Sequence, residues 1–395
     1  MAAGVDASGI VLSRGHGSNL WDADENRFVD LAAGFGAAIL GHGPSPAHDA
    51  AKAQADRLVQ GLGDLYSTET KLELLERLAA LLPSKGARAM LCQAGADAVT
   101  AALKTAVLAT GRPGVIAFEG SYHGMGYAPL AASGLSEGFR APFAAQLSPH
   151  VRFVSFPKCA AEEADALARV DAAFAKGDVG CVLIEPILGR GGVHVASSDF
   201  LGEVARRARA AEALFIADEI WTGLGRSGAM VKSVAAGVVP DILCVGKALG
   251  AGFPISACIA TDEAMRGWAR GGEVLHTSTH AGAPLGCAAA LATLDAIATR
   301  GLAERASDLG AKLAARLREE VGEHAEVRGE GLLVGVDLRT AARGIAATRQ
   351  LLCAGYIATA GGTRGEVVVL TPPLVIDEGA LLDVAPRIGQ IARSQ

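Results

Sequence analysis

Short apolar runs alternate with stretches of helical periodicity between about residues 88 and 262 of the chain. Each run is continuously hydrophobic rather than alternating, which predicts strands that are buried on both faces. The helical stretches between them, such as residues 97–110 and 199–213, predict an α/β domain with a mainly parallel sheet between helices. The runs read RAMLCQ, GVIAFEG, VRFVSFP, VGCVLIEP, ALFIADEI, ILCVGK and ISACIATD.

The two ends of the chain have a different pattern. Residues 18–40 predict a hairpin that turns at DADEN, and residues 286–322 predict long Ala/Leu-rich helices. The tail then predicts two short strands, GLLVGVDL and EVVVLTPP, with a helix between them. We therefore expect an N-terminal segment (1–45) that joins a small α+β domain (291–395), and a large domain (46–290) between them.

Composition narrows the class of protein. A hydrophobic fraction of 50% and a charged fraction of 20% are typical of a globular chain with a large interior. The net charge of -6 argues against nucleic acid as a partner. The seven cysteines are scattered and form no CxxC pair, which favours free thiols over disulfides. No apolar run reaches membrane-spanning length and no secretory signal is apparent, so we expect a cytoplasmic protein without a membrane partner.

Two polar side chains stand directly at the ends of predicted strands. Asp218 follows the run LFIA, and Lys247 closes the run ILCVG. Ligands of such sheets bind beyond the strand carboxyl ends, so both residues can face one crevice. A buried aspartate there can pair with a protonated pyridine nitrogen, and a lysine in an apolar setting readily becomes the neutral amine that attacks an aldehyde. The alternatives are a capping aspartate and a surface lysine.

Two further segments add to this crevice. The small residues around Gly95 and Ala96 precede a helix, where free backbone N–H groups and the helix dipole suit a phosphate. Tyr122 and His123 follow another strand between glycines, and a tyrosine there can stack on a flat heteroaromatic ring. An ordinary helix start and a packed loop aromatic are the alternatives for these two segments.

In order and spacing, these four segments resemble the class III aminotransferases, which are pyridoxal 5′-phosphate (PLP) enzymes of fold type I. The resemblance runs from NLWDADENRFVDLAAGFG to VLTPPLVI and is most specific in DEIWTGLGRSG, PDILCVGKALGAGFPISA and HTSTHAGAPLGCAAALATLD. It implies that Lys247 holds PLP as a Schiff base and that Asp218 binds the pyridine nitrogen. The other cofactor-binding residues that it implies are Gly95, Ala96, Tyr122, His123, Glu185, Ile220 and Thr279.

The resemblance also implies a reaction and an assembly. An amino group moves from an amino acid or amine donor to a keto or aldehyde acceptor in two half-reactions, with Lys247 moving the proton. Thr279 would reach the phosphate in the neighbouring subunit, which implies a homodimer with shared active sites.

The substrate end departs from the family pattern. Arg190 in LGRGGVHV stands where the family commonly has a glutamate, and Val369 in VVVLTPPL stands where it has an arginine. Our hypothesis is that Arg190 now supplies the cation that binds a substrate carboxylate. The alternative is a solvent-facing Arg190 over a more apolar pocket. Trp221 replaces a frequent glutamine and narrows or flattens the pocket, so we assign it with Arg190 to substrate binding.

Other functions share parts of this pattern. A racemase, epimerase or aminomutase on the same scaffold would keep Lys247 and Asp218. The GLGRSG stretch of residues 223–228 matches a nicotinamide-dependent oxidoreductase loop in letters, but without a convincing βαβ unit around it. A scaffolding protein that has lost activity would not need Lys247, Asp218 and Tyr122. His276 and His280 lack the glutamate of a zinc protease motif, so we expect no metal site.

Overall fold

The computed structural model describes residues 9–63, 65–269 and 274–394. The strands are β1 Leu12–His16, β2 Asn19–Asp22, β3 Arg27–Asp30, β4 Arg88–Cys92, β5 Gly114–Phe118, β6 Val151–Val154, β7 Val179–Ile184, β8 Ile187–Leu188, β9 His194–Val195, β10 Leu214–Asp218, β11 Ile242–Val245, β12 Ser256–Ala260, β13 Glu326–Glu330, β14 Leu333–Asp337, β15 Tyr356–Ile357, β16 Thr359–Gly361 and β17 Val367–Leu370.

The α-helices lie between and around these strands. They are α1 Ala33–Gly36, α2 Pro46–Ala55, α3 Glu69–Ala79, α4 Gly95–Thr110, α5 Tyr127–Ala132, α6 Glu137–Arg140, α7 Ala160–Phe174, α8 Ser198–Ala210, α9 Lys232–Ala235, α10 Asp262–Met265, α11 Pro284–Thr299, α12 Leu302–Val321, α13 Ala341–Cys353, α14 Glu378–Leu382 and α15 Val384–Arg393.

A seven-stranded sheet forms the centre of the molecule, in the order β4-β12-β11-β10-β7-β5-β6. Its strands run parallel except for β12, which is antiparallel to both of its neighbours. Every residue of β5, β7, β11 and β12 is buried, which explains their continuous apolar runs. Helix α4 packs on β11 and β12, and α8 packs on β10. The predicted α/β fold and its seven strands are confirmed.

The ends of the chain form smaller sheets. Strands β13, β14, β17 and β16 make an antiparallel sheet, and β1, β2 and β3 continue into β15 from the C-terminal part. The N-terminal hairpin therefore pairs with the tail, through Val29 opposite Tyr356. The predicted boundaries at residues 45 and 290 stay a prediction, and α11 crosses the second of them while packing on α2 and α3.

Some predicted bounds are wrong by a few residues. Helix α8 ends at Ala210 rather than 213, because Ala213 and Leu214 already lead into β10. Helix α4 begins at Gly95, two residues before the predicted start. Among the described helices, none alone is long and apolar enough to cross a membrane. The pair Pro284–Thr299 and Leu302–His324, bent by 64°, meets that length and composition only when taken together.

Helix α12 approaches the backbone near Gly331 so closely that Gly310 has no room for a side chain. A Cβ on Gly310 would collide with the Gly331 carbonyl oxygen. We expect Gly310→Ala to lower the free energy of unfolding by about 1–3 kcal/mol, as overpacking does. Gly202→Ala in α8 is the matched control, because its Cβ would meet only Val238 Cγ2 at 4.0 Å. Denaturant unfolding measures both, and equal stability of the two variants would contradict this packing.

Candidate active site

The carboxyl ends of the parallel strands bring the predicted functional residues to one edge of the central sheet. Asp218 ends β10, Lys247 follows β11 after one glycine, and Glu185 follows β7 directly. Tyr122 lies in the loop after β5, and Gly95 begins α4 after β4. This is the edge at which open α/β sheets bind ligands.

Asp218 and His123 form a buried pair. Asp218 Oδ2 lies 2.7 Å from His123 Nδ1, and Asp218 Oδ1 accepts a hydrogen bond from the Ile220 backbone N–H at 3.1 Å. Both side chains are buried. His123 Nε2 has no hydrogen-bond partner among the described residues. The histidine thus fixes the carboxylate from one side.

Lys247 has an unusual backbone and an unusual contact. Its φ of 36° lies in the left-handed region, which costs a non-glycine residue about 1–3 kcal/mol and is most often found at functional sites. The Lys247 Nζ lies 4.0 Å above the centroid of the Trp221 ring. The ammonium form is therefore held against the face of an aromatic ring.

The charge of Lys247 is set by opposing effects. Burial is the largest of them and lowers the pKa of its amine to about 8, from an ordinary value of 10.5. The carboxylates of Glu185 and Asp218 oppose this and raise the pKa, whereas the cations Arg190 and Arg226 lower it further. Near pH 8 about half of the amine is consequently uncharged and nucleophilic.

Glu185 is a buried carboxylate that binds two backbone segments. Its Oε1 accepts from the Tyr122 N–H at 2.6 Å, and its Oε2 accepts from the Gly189 N–H at 3.1 Å. Burial, chiefly, raises the pKa of Glu185 to about 7. The nearby His123 lowers this pKa and the charge of Asp218 raises it.

Arg190 lies over the Tyr122 ring, with its Cζ 4.5 Å from the ring centroid. The side chain is partly buried, and no carboxylate of the described residues forms an ion pair with it. Its backbone carbonyl accepts from the Gly362 N–H at 2.8 Å. A cation with a fixed backbone and no acidic partner in this part of the structure remains available for an anion.

Trp221 fits between two glycines. A Cβ on Gly36 would lie 2.6 Å from Trp221 Nε1, and a Cβ on Gly189 would lie 2.5 Å from its Cε3. Trp221 also packs in an apolar cluster with Val369, which is 1% exposed. The Trp221 indole N–H is buried and lacks a partner among the described residues. Val369, which stands where the family commonly has an arginine, is therefore part of an apolar wall.

The start of α4 offers free backbone donors. The described residues provide no hydrogen-bond acceptor for the N–H groups of Gly95 and Ala96. A Cβ on Gly95 would lie 2.8 Å from Ile220 Cδ1, and a Cβ on Gly124 would lie 2.7 Å from Ala96 Cβ. The small residues thus leave a tight, donor-lined cradle that suits a phosphate.

Among the described residues, no hydrogen bond or ring contact joins Thr279 to the residues of this site. Its exposed side chain lines a separate groove of about 560 Å³ that also contains Gln60, Leu62 and Leu65. The Gln60 side-chain amide donates to the Thr279 carbonyl at 2.8 Å. The structure brings together every other predicted site residue, but it does not bring Thr279 to Lys247.

The GLGRSG stretch does not form an open nucleotide loop. Arg226 is 1% exposed and donates to the carbonyls of Leu332 at 2.9 Å and Pro372 at 2.5 Å. A Cβ on Gly331 would collide with the Ser227 carbonyl carbon, so another segment covers the stretch. The oxidoreductase hypothesis has no support in this arrangement.

The arrangement fits PLP on features of this chain alone. It offers free amides for a phosphate, a buried carboxylate for a pyridinium nitrogen, an aromatic ring and a lysine with a lowered pKa. The sequence did not predict the close approach of Gly36 and Gly189 to Trp221, nor the His123–Asp218 contact. No local signal marks those contacts, because each joins segments that are distant in the chain.

Comparisons with known proteins agree with this geometry. Residues 1–391 match the family model described as aminotransferase class-III. The chain is 35% identical over 374 residues to an acetylornithine aminotransferase of Methanothermobacter thermautotrophicus, covering 93% of this chain and 90% of the relative. It is 33% identical over 340 residues to the 5-aminovalerate aminotransferase DavT of Pseudomonas aeruginosa, covering 83% and 79%.

Solved structures with the same fold are also transaminases. An ornithine aminotransferase from Toxoplasma gondii superposes with a TM-score of 0.88 at 29% identity, over 98% of this chain and 91% of that one. A PLP-bound amine transaminase from an uncultivated Pseudomonas species superposes with a TM-score of 0.90 at 27% identity, over 100% and 98%.

The chain therefore belongs to the class III aminotransferases. It is a PLP-dependent aminotransferase of fold type I, and the predicted fold, cofactor and enzyme class are confirmed. Nothing in the comparisons favours a racemase, and the relatives and neighbours described above are transaminases.

The lowered pKa of Lys247 is directly measurable. In cofactor-free protein we expect the amine of Lys247 to react with an acylating reagent with a midpoint near pH 8, followed by peptide mass spectrometry. Asp218→Asn removes an anion that raises this pKa, so the midpoint should fall further. A midpoint near the ordinary 10.5 in the unchanged protein would contradict the burial of the amine.

Proposed function

We propose that this aminotransferase acts on amino donors that carry a carboxylate, and that Arg190 binds that carboxylate. The observation that carries the proposal is the partly buried Arg190 guanidinium, which stacks on Tyr122 and has no acidic partner among the described residues. Its charge also lowers the pKa of Lys247, so the two cations lie near enough to influence each other. A planar guanidinium is well suited to bidentate carboxylate binding.

The other residues of the site take complementary roles in this proposal. PLP supplies an electron sink that stabilises negative charge on the substrate carbon. Lys247 Nζ holds the cofactor and, once free, accepts and returns the proton of that carbon. Asp218, fixed by His123, keeps the pyridine nitrogen protonated. Tyr122 covers the ring, while the remaining cofactor contacts come from Gly95, Ala96, Glu185 and Ile220.

Trp221 forms the apolar wall of the substrate pocket in this proposal. Its ring lies under Lys247 Nζ, so a group bound at that nitrogen also lies close to the indole face. Val369 extends the same apolar surface. Together with Arg190 these residues favour a donor with an aliphatic stem and a carboxylate at some distance from the reacting amine.

We also propose a homodimer in which Thr279 completes the phosphate site of the partner subunit. Two observations support it: no contact joins Thr279 to Lys247 among the described residues, and the groove of Thr279 adjoins exposed apolar side chains. Leu62, Leu65 and Tyr66 are 63%, 76% and 72% exposed. Contiguous exposed apolar residues of this kind mark interaction surfaces.

A cytoplasmic location completes the proposal. All seven cysteines are free in the structure, and Cys159 and Cys353 are exposed. Exposed free thiols are typical of proteins in a reducing compartment. The partners in this proposal are small amine and keto substrates together with a second copy of the chain.

The role of Arg190 is tested with matched donors in the first half-reaction. Holoenzyme is mixed with 3-aminopropanoate, 4-aminobutanoate or 5-aminopentanoate, or with the alkylamine of equal length, and the cofactor absorbance is followed. We expect Arg190→Ala to weaken apparent binding of the carboxylate donors about 10- to 100-fold, the usual effect of a lost charged hydrogen bond. The alkylamines should be nearly unaffected.

Arg14→Ala is the matched control, because Arg14 also stacks on an aromatic ring, Trp21, at 4.2 Å but lies in the N-terminal hairpin. It should leave both donor series unchanged. Equal binding of carboxylate donors by Arg190→Ala and by unchanged enzyme would refute the proposal and favour the apolar-amine alternative.

The shared site is tested by complementation between variants. Chains carrying Lys247→Ala and chains carrying Thr279→Ala are co-expressed with different tags, and the mixed dimer is purified. If Thr279 acts in the partner's site, the mixed dimer has one intact site and binds one PLP with the affinity of the unchanged enzyme. If the two residues act within one chain, no intact site exists in the mixed dimer, and the tight binding is absent.

A further inference from the structure

Glu185 has both carboxylate oxygens engaged by the protein itself. It is 5% exposed, and no lysine or arginine of the described residues forms an ion pair with it. One oxygen accepts from the Tyr122 N–H at 2.6 Å and the other from the Gly189 N–H at 3.1 Å. A buried carboxylate without a cation is stable only when such donors satisfy it.

The two donors belong to the two segments that meet in the proposed substrate site. Tyr122 supplies the ring, and Gly189 directly precedes Arg190, whose Cζ lies 4.5 Å from that ring. Glu185 therefore links the Tyr122 loop to the Gly189–Arg190 turn, and the contact between Arg190 and Tyr122 links the same two segments directly. A Cβ on Gly191 would collide with the Gly120 carbonyl oxygen, so the two segments also pack closely against each other at these glycines.

The Gly189–Arg190 turn also contacts Trp221, which forms the apolar wall of the site. Gly189 is in close contact with the Trp221 ring, and Lys247 Nζ lies over the face of that ring. A shift of the Gly189 backbone would therefore move Arg190 and the indole together. Packed interiors transmit such shifts because they have little free space.

We propose that Glu185 is a positioning residue: its carboxylate holds the Arg190 guanidinium over Tyr122 and thereby sets the preference of the enzyme for carboxylate-bearing donors. This inference rests on the role proposed above for Arg190. This positioning role is additional to the cofactor contact proposed above for Glu185, because it depends on the hydrogen bonds that the carboxylate accepts from the two backbone segments.

The carboxylate is the group that this position requires. Two N–H donors converge on it from opposite segments, and only an acceptor at both ends of the side chain satisfies both. In Glu185→Gln the oxygen can accept one of them, but the amide NH2 then faces the other N–H and leaves it without an acceptor. In Glu185→Asp the charge remains, but the side chain is one methylene shorter and does not span both donors.

The test combines these variants with Arg190→Ala in a double-mutant cycle. The apparent dissociation constants of 4-aminobutanoate and of butylamine are measured in the first half-reaction of the holoenzyme. We expect Glu185→Gln to lower the preference for 4-aminobutanoate over butylamine about tenfold, as loss of a well-placed charged contact between Arg190 and the donor does. In the Arg190→Ala background, Glu185→Gln should have no further effect on the ratio of the two dissociation constants, because it acts through Arg190.

Binding of unreactive ligands gives a second readout without catalysis. Calorimetric titration of holoenzyme with butanoate and with butanamide should show the same loss of carboxylate preference in Glu185→Gln and in Glu185→Asp. This measurement also serves if one variant is too unstable for kinetics. A merely structural role for Glu185 would weaken butanoate and butanamide, or both amino donors, by the same factor, and that result would overturn the inference.

Failure of the inference is distinguishable from failure of the proposed function. If Arg190→Ala abolishes the carboxylate preference but Glu185→Gln leaves it intact, Arg190 binds the carboxylate and Glu185 does not position it. If Arg190→Ala itself leaves the preference intact, the proposed function is wrong, and the inference falls with it. Additive effects of the two substitutions on the ratio would also overturn the inference, since Glu185 would then act independently of Arg190.

Discussion

The site depends on a lysine amine buried beside two buried carboxylates. Burial alone would strip Lys247 of its proton, and full exposure would leave it almost wholly charged near neutral pH. Asp218 and Glu185 offset part of the burial, so the pKa of the amine stays at about 8. The central sheet creates this balance, because the carboxyl ends of β7, β10 and β11 place all three groups at one edge. The amine of Lys247 can therefore lose its proton and react while it stays buried.

The charges of the substrate end follow from the same constraint. Val369 is buried in an apolar cluster with Trp221, where an unpaired arginine would suffer a large desolvation cost. Arg190 instead has a position at the margin of the site, where it keeps partial exposure and stacks on Tyr122. In the role proposed for Arg190, moving the cation from one wall to the other changes the direction from which a substrate carboxylate is held.

The sequence predicts the large sheet and the residues at its edge well, because buried parallel strands give continuous apolar runs and their carboxyl ends share one side. That rule brings Lys247 and Asp218 to one crevice, whereas their roles are predicted from the family resemblance. Short strands such as Tyr356–Ile357 escape prediction, since this one exists only through pairing with Val29 and Asp30, far away in the chain. The packing of Trp221 cannot be predicted for the same reason. The sequence indicates a flatter pocket, but only the fold brings Gly36 and Gly189 to the Trp221 ring.

We expect Lys247, and no other lysine, to be the amine to which the cofactor is attached. Borohydride reduction of the holoenzyme, followed by digestion and peptide mass spectrometry, tests it most directly. The cofactor mass should be found on the peptide that contains Lys247, and Lys247→Ala protein should carry none after the same treatment. Cofactor fixed to a different lysine, or an unmodified Lys247 in fully loaded enzyme, would contradict it.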